Sequence, residues 1–130
     1  MTIEPKWISK EIAIAIHERQ LAEHGGISGV RDAALLESAL DRAKNTHAYN
    51  SNADICDLAA AYGYGIAKNH AFLDGNKRTA LVVTRTFLLL NGYNIEASRE
   101  EKYTTFINLA NGELSEEAFA VWIRKHILKK

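Results

Sequence analysis

Two apolar runs, Leu58-Ala-Ala-Ala-Tyr-Gly-Tyr-Gly-Ile-Ala67 and Ala80-Leu-Val-Val83 followed by Phe87-Leu-Leu-Leu90, flank the polar stretch His70-Ala-Phe-Leu-Asp-Gly-Asn-Lys-Arg-Thr79. Each run is apolar nearly all round at helical spacing, which places both as central helices. The first of these should start near Asp54 and reach about Asn69. The second should start near Asn76 and stop at Asn91-Gly92, a plausible left-handed end. Gly63 and Gly65 cost helix propensity, about 1 kcal/mol each, but permit a neighbouring helix to come close. The connection between the helices needs only a turn. Instead it carries a histidine, a carboxylate, an amide, two cations and a hydroxyl.

Working outward, Ser9 can cap a first helix, with Ile8, Ile12 and Ile16 at fourfold spacing and Gly25-Gly26 as its end. Asp32 can cap a second, whose buried stripe is Leu35, Leu36, Ala39, Leu40 and Ala43. The polar run Asn45-Thr-His-Ala-Tyr-Asn-Ser-Asn52 reads as an exposed loop. Ser98-Arg-Glu-Glu101 is a capping box for a fifth helix with Tyr103, Phe106, Ile107 and Ala110 inward. Ser115-Glu-Glu117 starts a sixth, with Phe119, Trp122, Ile123 and Ile127 inward. Pro5 is the single proline, and no strand alternation stands out. The expected fold is all-α: a compact bundle of about six helices in one domain over 1–130, with two central helices joined by the polar loop from His70 to Thr79.

The chain has 130 residues, 47% hydrophobic and 25% charged, which suits a soluble globular domain and excludes disorder. Sixteen basic and sixteen acidic residues cancel, so there is no polybasic tail for direct nucleic-acid or membrane binding. A lone cysteine, Cys56, excludes an intrachain disulfide and paired-cysteine zinc sites. Met1 to Trp7 lacks the basic and apolar regions of a signal peptide, and no run is long enough to span a bilayer. A cytoplasmic protein is expected.

The connecting stretch has the makings of a phosphate site. A helix starting near Asn76 presents free N–H groups around Gly75 to Arg78 at its positive dipole end. Gly75, without a Cβ, lets a phosphate come close to the backbone. Lys77 and Arg78 add charged donors, and Asn76 adds an amide. Asp74 is a hard oxygen ligand suited to Mg²⁺ arriving with phosphates. His70 closes the preceding helix and is a natural general base for a hydroxyl attacking phosphorus. The same residues also suit a plain helix–turn–helix with Asp74-Gly75 as the turn and solvated cations, so the physics alone leaves both readings open. A P-loop is excluded, because the earlier glycine is missing and Lys77 is followed by arginine.

The run His70-x-Phe72-x-Asp74-Gly75-Asn76-Lys77-Arg78-Thr79 closely resembles the signature of the Doc (death-on-curing) toxins, the small branch of the Fic superfamily. Gly25-Gly-Ile-Ser-Gly-Val-Arg-Asp32, Leu36-Glu-Ser-Ala39, Phe87-Leu-Leu-Leu-Asn-Gly-Tyr93 and Asn111-Gly-Glu113 extend the likeness over nearly the whole chain. The resemblance implies the Fic/Doc fold, ATP as substrate and Mg²⁺ as metal. It makes His70 the base, Asp74 the Mg²⁺ ligand, and Gly75 to Lys77 the anion cradle, with Asn76 and Arg78 on phosphate oxygens. Lys68 could assist if the third helix runs on to His70, and the loop from Asn45 to Asn52 corresponds by position to a target-docking flap.

Fic enzymes transfer AMP and carry His-Pro-Phe-x-(Asp/Glu)-Gly-Asn-Gly-Arg-x-x-Arg. Here Ala71 replaces the proline, Lys77 the second glycine and Leu81 the last arginine. A lysine fills space along the cradle, and the missing arginine removes a donor for the terminal phosphates. Doc toxins share these departures and act as kinases that place ATP in reverse. The resemblance therefore implies a Ser/Thr protein kinase toxin, with elongation factor Tu as target and translation as the process stopped. A Fic-type AMP transferase and a catalytically inactive module that binds an antitoxin or regulator are the alternatives. No Ser or Thr has Glu four residues on, so the inhibitory Ser/Thr-x-x-x-Glu-(Gly/Asn) device of many Fic proteins is absent from the sequence. That fits a toxin, monomeric when free, restrained by a separate antitoxin whose disordered tail folds on it.

His17, His24, His47 and His126 show no metal-ligand spacing and read as structural. Trp7 and Trp122 read as packing, Arg31 as one half of a structural ion pair, and Lys129-Lys130 as a frayed end. Cys56 lies at a helix start, where a thiol can acidify, but a packing role is favoured.

Overall fold

A computed structural model describes residues 4–130. The part of the N-terminal reading that concerns residues 1–3 lies outside them. Six helices follow in order: α1 (Lys10–His24), α2 (Ala33–Tyr49), α3 (Ile55–Asn69), α4 (Asn76–Leu90), α5 (Arg99–Ala110) and α6 (Glu116–His126). None is long and apolar enough to cross a membrane.

The cap residues legible in the sequence set the helix starts. Ser9, Asp32, Ser98 and Ser115 each accept from the backbone N–H three residues on, satisfying one orphan donor of the first turn. Asp54 and Asp57 form a reciprocal capping box at α3. At Ser98 only half a box forms, because Glu101 turns its carboxylate to Trp122 Nε1 at 3.1 Å and His126 Nε2 at 2.9 Å.

Helix α3 is the hub, with ten buried residues from Cys56 to Ala67, and α2, α4, α5 and α6 pack around it. Its glycines make that packing possible. A Cβ on Gly65 would lie 3.1 Å from the Ala39 backbone on α2. One on Gly63 would lie 2.7 Å from both Phe119 of α6 and Thr84 Oγ1 of α4. Tyr62, Phe87, Phe119, Leu58 and Leu88 fill the core.

Five expectations need correction. Helix α2 continues to Tyr49 rather than ending before Asn45. Thr46 Oγ1 donates to Arg42 O within the helix, and His47 packs edge-on against Trp7, a tertiary contact that supports the extra turn despite a polar, loop-like sequence. On α1 the buried positions are Ala13 and His17; Ile16 is half-buried and Ile12 remains 39% exposed. Residues Ile127–Lys129 form a strand, β2, antiparallel to β1 (Tyr93–Ile95), with Ile95 opposite Ile127. Ile127 is thus a strand residue, and the C-terminal lysines are tied down, Lys130 N–H donating to Gly92 O at 2.8 Å. Tyr103, expected on the inner face of α5, is 60% exposed; Thr105, Phe106 and Leu109 are inward instead.

Candidate active site

The segment from His70 to Gly75 joins α3 to α4 and is held from outside at almost every residue. His70 is the C-cap of α3 with φ 51° and ψ 47°, the only non-glycine residue with positive φ among those described. A side chain in that region costs roughly 1–2 kcal/mol, so neighbouring contacts must maintain it. Arg31 Nε donates to His70 O at 2.8 Å and its Nη2 to Asn69 O at 3.3 Å. The backbone N–H groups of Arg31 and Asp32 donate to Ala71 O at 2.7 and 3.0 Å. Leu73 N–H donates to Gly29 O, so Val30 and Phe72 form an antiparallel bridge. Arg31 therefore serves carbonyl groups, not the carboxylate partner expected from sequence.

Inside the segment, Phe72 is buried and stacks on His17, with ring centroids 3.8 Å apart. His17 is itself 1% exposed, and its Nε2 lies 2.7 Å from Asp74 O. A carbonyl can only accept, so Nε2 carries the proton. Asn76 folds back on Phe72: its Oδ1 accepts from Phe72 N–H and its Nδ2 donates to Phe72 O, both at 3.0 Å. The amide thus clips the turn shut and keeps one Nδ2 hydrogen for another acceptor.

Asp74 is exposed. Its Oδ1 accepts from Gly75 N–H at 2.8 Å and its Oδ2 from Ile27 N–H at 3.3 Å. Gly26 makes room for this: a Cβ there would sit 2.9 Å from Asp74 Oδ2. Both carboxylate oxygens retain lone pairs after these bonds. No group of three or more His, Cys, Asp or Glu converges among the described residues. One free carboxylate without a protein cage is the donor set of a Mg²⁺ that keeps its waters and phosphate ligands, and Asp74 fits it.

Gly75 starts α4 at φ 75°, and no side chain caps that helix. Thr79 N–H to Gly75 O is the first bond of the helix, so the N–H groups of Asn76, Lys77 and Arg78 remain for an outside acceptor. Lys77 and Arg78 are exposed there and form no ion pair among the described residues. Open N–H groups, the helix dipole and two cations together make a strong anion site. The Thr79 hydroxyl is buried and makes no hydrogen bond.

A cavity of about 350 Å³ gathers His70, Leu73, Asp74, Gly75, Asn76, Lys77, Arg78 and Tyr103. The structure thus brings together every predicted site residue except Lys68. That side chain lines a separate cavity with Arg42, Tyr64, Gly112 and Glu116. Helix α3 ends at Asn69 and His70 turns out of it at φ 51°, so helical spacing does not carry Lys68 into the cavity that His70 lines. The segment from Asn45 to Asn52 contributes nothing to the His70 cavity either. Sequence reasoning missed Tyr103 as a wall of the cavity and the full burial of His17. Only the proximity of Tyr103 to a helix start hinted at the former, and nothing local marked the latter.

A family model described as the Fic/DOC family matches residues 7–88. The "Protein kinase doc" of Escherichia phage P1 is 34% identical over 118 residues, covering 91% of this chain and 93% of that protein. The "Toxin Doc" of Mycolicibacterium smegmatis is 42% identical over 74 residues, 56% of this chain and 57% of that one. The "Protein adenylyltransferase Fic" of Drosophila ananassae is 34% identical over 86 residues, 64% of this chain but only 17% of that much longer protein.

Proposed function

The chain belongs to the Fic/DOC family, and from that membership we propose that it is a Doc-type toxin whose transferase activity is protein phosphorylation. The substrate is ATP, and the γ-phosphoryl group passes to a Thr or Ser hydroxyl of a protein target. Elongation factor Tu is the target implied by the family resemblance, with arrest of translation as the consequence. A cognate antitoxin restrains the toxin. The observation that carries the reading is the uncapped N-terminus of α4, with Lys77 and Arg78 beside it and His70 across the same cavity.

In this scheme His70 accepts the proton of the target hydroxyl as its oxygen bonds to the γ-phosphorus, and ADP leaves with the electrons of the broken P–O bond. The N–H groups of Asn76 to Arg78 and the side chains of Lys77 and Arg78 bind the charge that builds on the transferred group. Asp74 would hold Mg²⁺, which neutralises phosphate charge when bound. Asn76 keeps the cradle in shape through Phe72. Leu73 and Tyr103 add apolar surface to the cavity lining, suited to the rest of the nucleotide.

Lys77 in place of glycine and Leu81 in place of arginine favour phosphoryl over AMP transfer. Leu81 is half-buried against the core and offers no phosphate donor. Incubating the protein and cell extract with γ-labelled or α-labelled ATP tests this. Label on a protein from the γ position is expected. Label from the α position alone would replace the kinase reading by AMP transfer. His70→Ala should lower transfer by about 100-fold or more. Undiminished toxicity of that variant would leave only a binding module.

A further inference from the structure

Resting on the reading of His70 as the base, we propose that Arg31 is a positioning residue that fixes the His70 backbone in its left-handed conformation. Helices α1, α2, α4 and α5 each close with a backbone N–H from the residue after the last turn, at Gly25, Asn50, Asn91 and Asn111. Helix α3 has no such bond from His70. Its last two carbonyls, Asn69 O and His70 O, take their donors from the Arg31 guanidinium.

The place of this guanidinium is over-determined. Arg31 N–H already donates to Ala71 O, and the Val30–Phe72 bridge anchors the chain on the other side. The side chain therefore needs only to reach back along the same strand-like pair to meet the two carbonyls preceding Ala71. A planar fork can serve two neighbouring carbonyls at once, whereas an ammonium acts as a single point. Its charge also lies at the negative end of the α3 dipole. His70 is exposed, so core packing does not hold its backbone. Release of the carbonyls would let the residue relax to negative φ and swing the imidazole away from Asp74 and the α4 N-terminus. Arg31 itself lies outside the lining of the His70 cavity, so its effect must pass through His70.

The test uses the full chain with Arg31→Ala and Arg31→Lys. In Arg31→Ala, kcat for γ-phosphoryl transfer should fall on the order of tenfold or more, because a small misplacement of the base is enough. KM for ATP should hold within about twofold, because the cradle at α4 is built separately. Guanidinium or ethylguanidinium at tens of millimolar should restore part of kcat in Arg31→Ala, since the position is exposed. Arg31→Lys should fall between. A second readout needs no activity: the HN–Hα coupling of His70 by NMR should leave its parent value in Arg31→Ala and return with guanidinium. An unchanged coupling, or a kcat loss matched by a KM rise without guanidinium rescue, overturns the positioning role. A parent chain that transfers no label sinks the functional reading instead, and the coupling still decides the role of Arg31.

Discussion

At the start of α3, Asp54 Oδ1 accepts from Asp57 N–H, Asp57 Oδ2 accepts from Asp54 N–H, and Arg124 lies across both carboxylates at 2.9 to 3.1 Å. At the start of α4, Gly75 offers no side chain at all; the adjacent Asp74 carboxylate accepts from the Gly75 and Ile27 N–H groups and caps none of the N–H groups of Asn76 to Arg78, beside which stand two exposed cations. Both helices are 15 residues long and central, with the same orphan N–H groups and the same dipole. One end supplies its own anions and is stabilised by them. The other forgoes the side-chain cap that starts each of the other five helices described and is left able to take an anion from outside. On the proposed function, stability and phosphate binding fall to different ends of similar helices.

Supplying α4 with a cap of its own breaks the comparison most sharply. Gly75→Asp puts a carboxylate where a phosphate would sit, in a left-handed position that already disfavours a side chain. Transfer should fall on the order of 1000-fold, the loss expected when transition-state charge meets repulsion and lost donors. The stability cost should stay near 1 kcal/mol, since a Cβ at Gly75 meets only ordinary contacts, at 3.5 Å from Leu21 and 3.7 Å from His17. Label-transfer assays beside thermal melts check both. Undiminished transfer would remove the α4 N-terminus from the mechanism.

The same contrast explains what the sequence could disclose. Ser9, Asp32, Asp54, Ser98 and Ser115 announce their helices because a cap is a local event, complete within four residues. Gly75 announces α4 by its permissiveness, and the His70 to Arg78 cluster was legible because its members are consecutive. The supports of that cluster come from far along the chain. His17 bonds Asp74 across 57 positions and Arg31 bonds His70 across 39, and neither leaves a periodic trace. The β1–β2 pair is equally hidden, three residues a side with register set by packing. Lys68 lines another cavity because the condition for its assistance fails: α3 ends at Asn69 and His70 turns out of the helix.

Cys56 is a probe inside the satisfied end. A thiol in the first turn of a helix is ordinarily acidified by the dipole. Here burial, aided by the negative charge of Asp54, pushes it up to about 11. At pH 7.5 its reaction with iodoacetamide should run at least about 100-fold slower than that of an unstructured thiol. Mass spectrometry of intact protein would follow it. Alkylation at the free-thiol rate in the folded state would mean that the α3 N-terminus is neither buried nor neutralised as the structure has it.

Removing the α3 cap should do the reverse of adding one to α4. Asp54→Ala should cost about 1 kcal/mol, seen as a drop of a few degrees in Tm, with transfer per folded molecule unchanged. A loss of transfer without a loss of stability would erase the division of labour between the two ends.

The finest test is the pH dependence of the same carboxylate. The Arg124 guanidinium holds Asp54 below the usual carboxylate range, and the bond from Asp57 N–H adds to this. A depressed folded value means that the stabilisation is complete above the unfolded value of about 3.9 and is lost as pH falls through the folded one. Asp54 is about half exposed, its side chain at 48%, so solvent screening keeps this ionic part to a few tenths of a kcal/mol. Urea melts of the parent and of Asp54→Asn should therefore differ by a constant amount above about pH 5 and converge below about pH 4. Asparagine keeps a side-chain oxygen for Asp57 N–H but carries no charge, so the convergence isolates the ionic contribution from the cap. No difference above about pH 5 would assign the stability of this end to the neutral hydrogen bond that both chains keep, and the contrast with α4 would then lie in capping rather than in charge.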